Sequence, residues 1–153
     1  MSLESYLDWS LSFSLPVISS PMDTVTEFEM AWSMSHLGGI GLIHRFMSIE
    51  DQAELVRNFR YSRVGAAIGI TNDFIERAQE LVKNKCKVLL IDVAHGHHLL
   101  VKEAIGRIRN EVKGTFDIIG GSVATRKAAR DMCEWGVDAI RAVSYTHLRA
   151  HET

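Results

Sequence analysis

Cysteine is scarce in this chain of 153 residues: there are two, Cys86 and Cys133. They stand 47 positions apart, in neither a metal-binding nor a redox spacing. A disulfide framework is therefore excluded, and a reduced cytoplasmic protein is the expectation. Both cysteines read as small buried hydrophobes and not as nucleophiles. A basic excess is also missing, since 17 Lys and Arg face 19 Asp and Glu for a net charge of −2. That argues against a nucleic-acid partner, which needs a positive face. No apolar run approaches the ~20 residues of a membrane helix. The opening MSLESYLDWS carries no basic segment of a secretory signal. With two prolines, 11 glycines and a hydrophobic share of 46%, the chain is neither disordered nor collagenous. What these absences leave is one soluble globular domain.

Six short apolar runs are present: Pro16–Ser20, Ile40–His44, Val64–Ile70, Val88–Asp92, Asp117–Gly121 and Asp138–Ala142. They are too short for helices and mostly apolar, not alternating, as strands buried on both faces are. Their starts lie 24, 24, 24, 29 and 21 residues apart, about one strand, one helix and two turns each. The intervening segments carry helical periodicity and start signals. Thr26 with Glu29 reads as a capping box ahead of Met30, Ala31, Met34 and Leu37, stopped by Gly38 and Gly39. Ser48 with Asp51 precedes Ala53, Val56 and Phe59, and Asn72 can cap Ile75, Ala78, Leu81 and Val82. Val101, Ala104, Ile105, Ile108 and Val112 form a 3-4 stripe, and Thr125 and Gly136 bracket a last helix through Ala128 and Met132. Alternating strands and helices mean an α/β fold. Even spacing, with no G-x-G-x-x-G after the first strand, favours a (β/α) barrel over a doubly wound sheet.

Barrel chemistry sits at the C-terminal ends of the strands. Here those ends carry Ser20 and Met22, His44 and Arg45, Thr71, Asp92 with His95, Ser122, and Arg141. Asp92 is the strongest single signal. A carboxylate directly after VLLI either binds a ligand donor or pairs with a neighbouring cation. The histidines of HGHH, residues 95–98, lack the acidic partner and distant third ligand of a catalytic zinc site, and read as a solvated loop.

Six stretches carry a family resemblance. PVISSPMDTVTE, GGIGLIHRFMSIEDQAE, VGAAIG, VLLIDVAHGH, IIGGSVAT and GVDAIR occur between Pro16 and Arg141. In this order they resemble the IMP dehydrogenases and GMP reductases. The resemblance implies a TIM (β/α)8 barrel, incomplete here at about five and a half βα units. It also implies NAD as cofactor (NADP in a GMP reductase) and IMP or GMP as purine nucleotide substrate. The intact family enzyme is expected to be a homotetramer without nucleic-acid or membrane partners. Residue by residue, Ser20, Met22 and Arg141 match substrate-binding positions. Asp92 matches the acid that holds the nicotinamide riboside, and Thr71 lies near the adenosine end of the cofactor site. Ser122 stands where the family usually has Asn, so an amide contact is lost there.

The resemblance places the catalytic Cys loop, which also binds potassium, just after the sixth strand. In this sequence AVSYTHLRAHET follows Arg141, so no catalytic residue and no metal ligand is assigned. Residues 1–142 are expected to be a partial catalytic barrel without a CBS insert, since Arg57 runs straight on to Val64. Val143–Thr153 resemble one reading frame of a transposase-type sequencing adapter and are expected to be non-native. A further family segment is expected before Met1. SSPMDTVTE, GGIGLIH and MSIEDQAE resemble dehydrogenases, whereas the missing insert and FEMA (Phe28–Ala31) echo reductases. Dehydrogenase is the favoured member, and the chain itself is expected to be inactive.

Overall fold

A computed structural model describes residues 4–7, 12–59 and 63–142. Elements run β1 (Ser5–Tyr6), β2 (Ser12–Phe13), β3 (Ile18–Ser19), α1 (Phe28–His36), β4 (Ile40–Ile43), α2 (Ile49–Arg57), β5 (Val64–Ile68) and α3 (Phe74–Lys83). They continue with β6 (Val88–Asp92), α4 (Leu99–Glu111), β7 (Asp117–Val123), α5 (Arg126–Trp135) and β8 (Ala139–Ala142). Strands β3 to β8 form one parallel sheet in sequence order, curled into an open half-barrel with β3 and β8 as its edges. All six strands expected from the apolar runs are present. The antiparallel hairpin of β1 and β2 is additional, since two-residue strands leave no periodicity to read.

Side chains alternate along each strand, so the sheet has two cores. Ile40, Leu42, Ala67, Val88, Leu90 and Ile119 point inward, joined by Leu7 and by Phe13 of the hairpin. Ile43, Val64, Ala66, Ile68, Leu89, Ile91 and Ile118 point outward and meet the helices. The expected stripe of α4 lies in this outer core, with Val101, Ala104, Ile105 and Ile108 all buried.

Two of the expected caps form. Ser48 accepts from the Asp51 amide and Thr125 from the Ala128 amide, while Gly136 closes α5 in the left-handed region at φ 98°. Two do not. The Thr26 hydroxyl donates instead to the Ser20 carbonyl at 2.5 Å, and α1 starts later, behind Glu27, without a side-chain cap. Asn72 turns left-handed at φ 56° and Asp73 takes the cap position of α3. Helix α1 also leaves Met30 and Leu37 exposed, because it flanks the edge strand β3 and buries only Ala31 and Met34. Cys86 is buried as expected, but Cys133 is exposed. Helix α5 buries Ala128 and Met132, and the next residue is turned about 100° away. Trp9 and Val143–Thr153 lie outside the described residues.

Candidate functional site

Strand parity decides what faces the barrel mouth. In β6, Val88 and Leu90 point inward, so Asp92 does too. In β8, Ala139 points inward, and with it Arg141. Register then places Asp92 beside Gly121 and Gly121 beside Arg141. The two charged residues are thus two strands apart, roughly 10 Å at ~4.8 Å per strand. A long guanidinium bridges that span only because residue 121 has no side chain. Arg141 Nη2 donates to Asp92 Oδ1 at 2.8 Å, directly over the glycine. A Cβ on Gly121 would lie 2.7 Å from Arg141 Cβ and 2.8 Å from its carbonyl oxygen.

Ser122 joins this row through an irregularity. The β7–β8 register shifts between Gly121 and Val123, which re-aims the residue in between. The Ser122 hydroxyl lies 3.0 Å from Arg141 Nη2 and is buried. Its backbone also suspends the loop after β6: the Gly96 amide donates to Ser122 O at 2.8 Å, and the Ser122 amide donates to Val93 O at 3.0 Å.

A second cation reaches Asp92 from the other side. Arg45, just after β4, crosses the end of β5 beside Gly69 and brings Nε to 3.9 Å from Asp92 Oδ2. That separation is an ion pair and not a hydrogen bond. One carboxylate is thus flanked by two guanidiniums. The Nε–H groups of Arg45 and Arg141 are both buried, and neither has a hydrogen-bond partner among the described residues. An unpaired buried donor costs about 1–3 kcal/mol.

Behind the mouth, a buried bracket fixes the ends of β4 and β5. Gln52 of α2 donates to His44 O and Ala67 O, both at 2.9 Å, and accepts from Arg77 Nη1 at 3.0 Å. Arg77 Nη2 in turn donates to Met47 O at 3.2 Å and to Asp73 Oδ2 at 2.9 Å. His44 is also buried. Its Nδ1 accepts from the Phe46 amide at 3.2 Å, which leaves the proton on Nε2, 3.2 Å from Glu27 Oε1.

The expected residues divide accordingly. Asp92, Ser122 and Arg141 meet in one hydrogen-bonded group, although they were matched to different ligands. Of the two readings of Asp92, the cation pair is realised. Ser20 and Met22 sit at the opposite edge, after β3, both exposed. The Ser20 carbonyl accepts from Thr26, which ties that turn together. Thr71 is exposed beyond β5, and no described contact links it to Asp92. Sequence reasoning left Arg45 without a role and missed Gln52, Arg77 and Gly121. Parity combined with register would have marked Gly121, but register is not local information.

The HGHH loop is more structured than expected. His97 Nε2 lies 2.7 Å from Asp131 Oδ2, and His98 caps α4 by accepting from the Leu100 amide. His95 is exposed. Among the described residues no group of three His, Cys, Asp or Glu could hold a metal ion. Neither cysteine is at the mouth. Cys86 precedes β6 at the far end of the barrel, where burial pushes its thiol up to about 12, and Cys133 is on the outer helix α5.

The chain was compared with known proteins. The family model described as IMP dehydrogenase / GMP reductase domain matches residues 1–143. Inosine-5'-monophosphate dehydrogenase of Borreliella burgdorferi is 32% identical over 92% of this chain and 48% of its own length. The enzyme of the same name from Cryptosporidium parvum is 33% identical, over 92% of this chain and 46% of its length. GMP reductase of Mycoplasma mycoides subsp. mycoides is 32% identical over 85% of this chain and 41% of its length. The chain spans about half the length of the curated relatives it matches. No described helix is long and apolar enough to cross a membrane. With six strands in barrel order, a charged row at their C-terminal ends and a family match over residues 1–143, this chain belongs to the IMP dehydrogenase / GMP reductase domain family.

Proposed function

We propose that this chain is the nucleotide-facing part of an NAD-dependent IMP dehydrogenase, which oxidises IMP to XMP. The observation that carries the reading is the Asp92–Arg141 contact of 2.8 Å across Gly121 at the barrel mouth. In this reading Asp92 accepts from the ribose hydroxyls of the dinucleotide. Arg141, with Ser20 and Met22 on the facing edge, addresses the purine nucleotide. Ser122 and Thr71 line the cofactor side. NAD, when bound, supplies the hydride acceptor. The chain's own part is to orient the two ribose-bearing ligands and present two cationic side chains beside the carboxylate.

The nucleophile is a separate matter. A buried thiol held up to about 12 is not a thiolate at neutral pH, and Cys133 faces solvent on the outer helix layer. Neither can attack a purine at the mouth, so residues 1–142 bind without performing covalent chemistry. The potassium implied by the resemblance belongs to the same catalytic loop, and no residue here is assigned to it. The whole protein is read as a cytoplasmic homotetramer.

An NADPH-dependent GMP reductase is the second reading. It is favoured by the direct run from Arg57 to Val64, which leaves no room for a CBS insert, and by the similarity to the mycoplasma reductase.

Titration of IMP and NAD against the purified chain tests the proposal. Both should bind, Asp92→Asn should weaken NAD about tenfold or more, and no NADH should form. Loss of IMP binding but not NAD binding in Asp92→Asn would contradict the role of Asp92. NADH production from IMP by this chain would contradict the absence of a nucleophile.

A further inference from the structure

Phe46 is an anomaly at the mouth. The residue is 61% exposed. It is not isolated. The Arg45 guanidinium carbon lies 5.2 Å from the ring centroid, and the buried His44 ring runs nearly parallel at 6.1 Å and 25°. Arg45 is itself held. Its Nε is 3.9 Å from Asp92 Oδ2, and its Nη1 packs against Gly69. Phe46, Arg45 and Asp92 therefore form one connected line, with an open aromatic surface at one end and a carboxylate at the other. His44 and the Phe46 amide anchor the ring end through the 3.2 Å hydrogen bond to Nδ1.

We propose that Phe46 and Arg45 form a stacking shelf for the planar heteroaromatic ring of a nucleotide whose ribose is held by Asp92; this rests on the nucleotide reading above. Several observations support it. A phenyl face and a guanidinium plane are the two surfaces on which nucleobases stack, and stacking tolerates different rings because each presents a π-face. Arg45 Nε stays buried, 3.9 Å from Asp92 Oδ2, which fixes the guanidinium beside the ring. The shelf would act on affinity and orientation and not on chemistry.

The test uses the full chain with three ligands: IMP, NADH and ribose 5-phosphate, which has the sugar but no ring. Alanine substitution of a stacking aromatic weakens binding by about fivefold to a hundredfold. Phe46→Ala and Phe46→Leu should both lose that factor for NADH, whose ribose Asp92 holds, and should leave IMP unchanged. Phe46→Trp should retain binding, and ribose 5-phosphate should bind all variants alike. The ring is exposed, so the urea midpoint of each variant should stay with that of the parent. Unchanged affinity of Phe46→Ala for NADH overturns the shelf. So does full retention in Phe46→Leu, which would make the contact mere apolar bulk, or an equal loss for ribose 5-phosphate. If none of the three ligands binds the parent chain, the nucleotide reading fails and the shelf with it, an outcome distinct from the others.

Discussion

Replacing Gly121 by alanine probes the feature on which the site depends. The new methyl carbon would stand 2.7 Å from Arg141 Cβ and 2.8 Å from Arg141 O, some 0.6–0.7 Å inside ordinary contact. Among the described residues, β8 is an edge strand paired only with β7, so β8 gives way. A displacement of that size stretches the 2.8 Å Arg141–Asp92 bond to about 3.5 Å, the limit of hydrogen bonding. Overpacking of this kind costs about 1–3 kcal/mol. The lost charge-assisted bond adds about 1 kcal/mol, discounted because both side chains are about a fifth exposed. Urea denaturation should therefore show Gly121→Ala destabilised by about 2–4 kcal/mol. A double-mutant cycle of Asp92→Asn and Arg141→Gln separates the two contributions. It should give a coupling of about 1 kcal/mol with glycine at 121 and almost none with alanine. A stability loss under about 0.5 kcal/mol, with the coupling intact in the alanine background, would refute the reasoning.

Two further outcomes are expected. Gln52→Leu leaves the His44 and Ala67 carbonyls and the buried Arg77 guanidinium without their shared partner, so it should cost about 2–4 kcal/mol in urea titration; a loss below about 1 kcal/mol would mean that water replaces the amide. Asp131 is held below its ordinary carboxylate value by hydrogen bonds from Lys127 and His97. A lowered carboxyl stabilises the fold fully above the ordinary carboxylate range and loses that contribution as pH falls through the lowered value. The urea midpoints of the parent and Asp131→Asn should therefore differ at neutral pH and converge in acid. A gap that does not narrow on acidification contradicts the pairing.

Much of the architecture was legible one residue at a time. Short apolar runs at a spacing near 24 marked all six parallel strands, and Ser48, Thr125 and Gly136 marked helix ends, because each signal acts within one turn of chain. The Thr26 capping box failed for a nonlocal reason: its hydroxyl found the Ser20 carbonyl across the β3–α1 turn. The exposed Cys133 and the hairpin of β1 and β2 escaped notice because a single helix position and two-residue strands carry little periodicity.

The candidate site divides along the same line. Residue types and strand ends pointed by themselves to Asp92, Ser122 and Arg141, since a carboxylate closing an apolar strand must be answered by some partner. Which partner answers was decided by the tertiary structure. Strand register set Gly121 between Asp92 and Arg141, and the register shift at Ser122 turned its hydroxyl toward the same guanidinium. The reach of Arg45 across β5 completed the group. Those contacts span 19, 47 and 49 residues of sequence, and no local pattern encodes a meeting that exists only once neighbouring strands lie side by side.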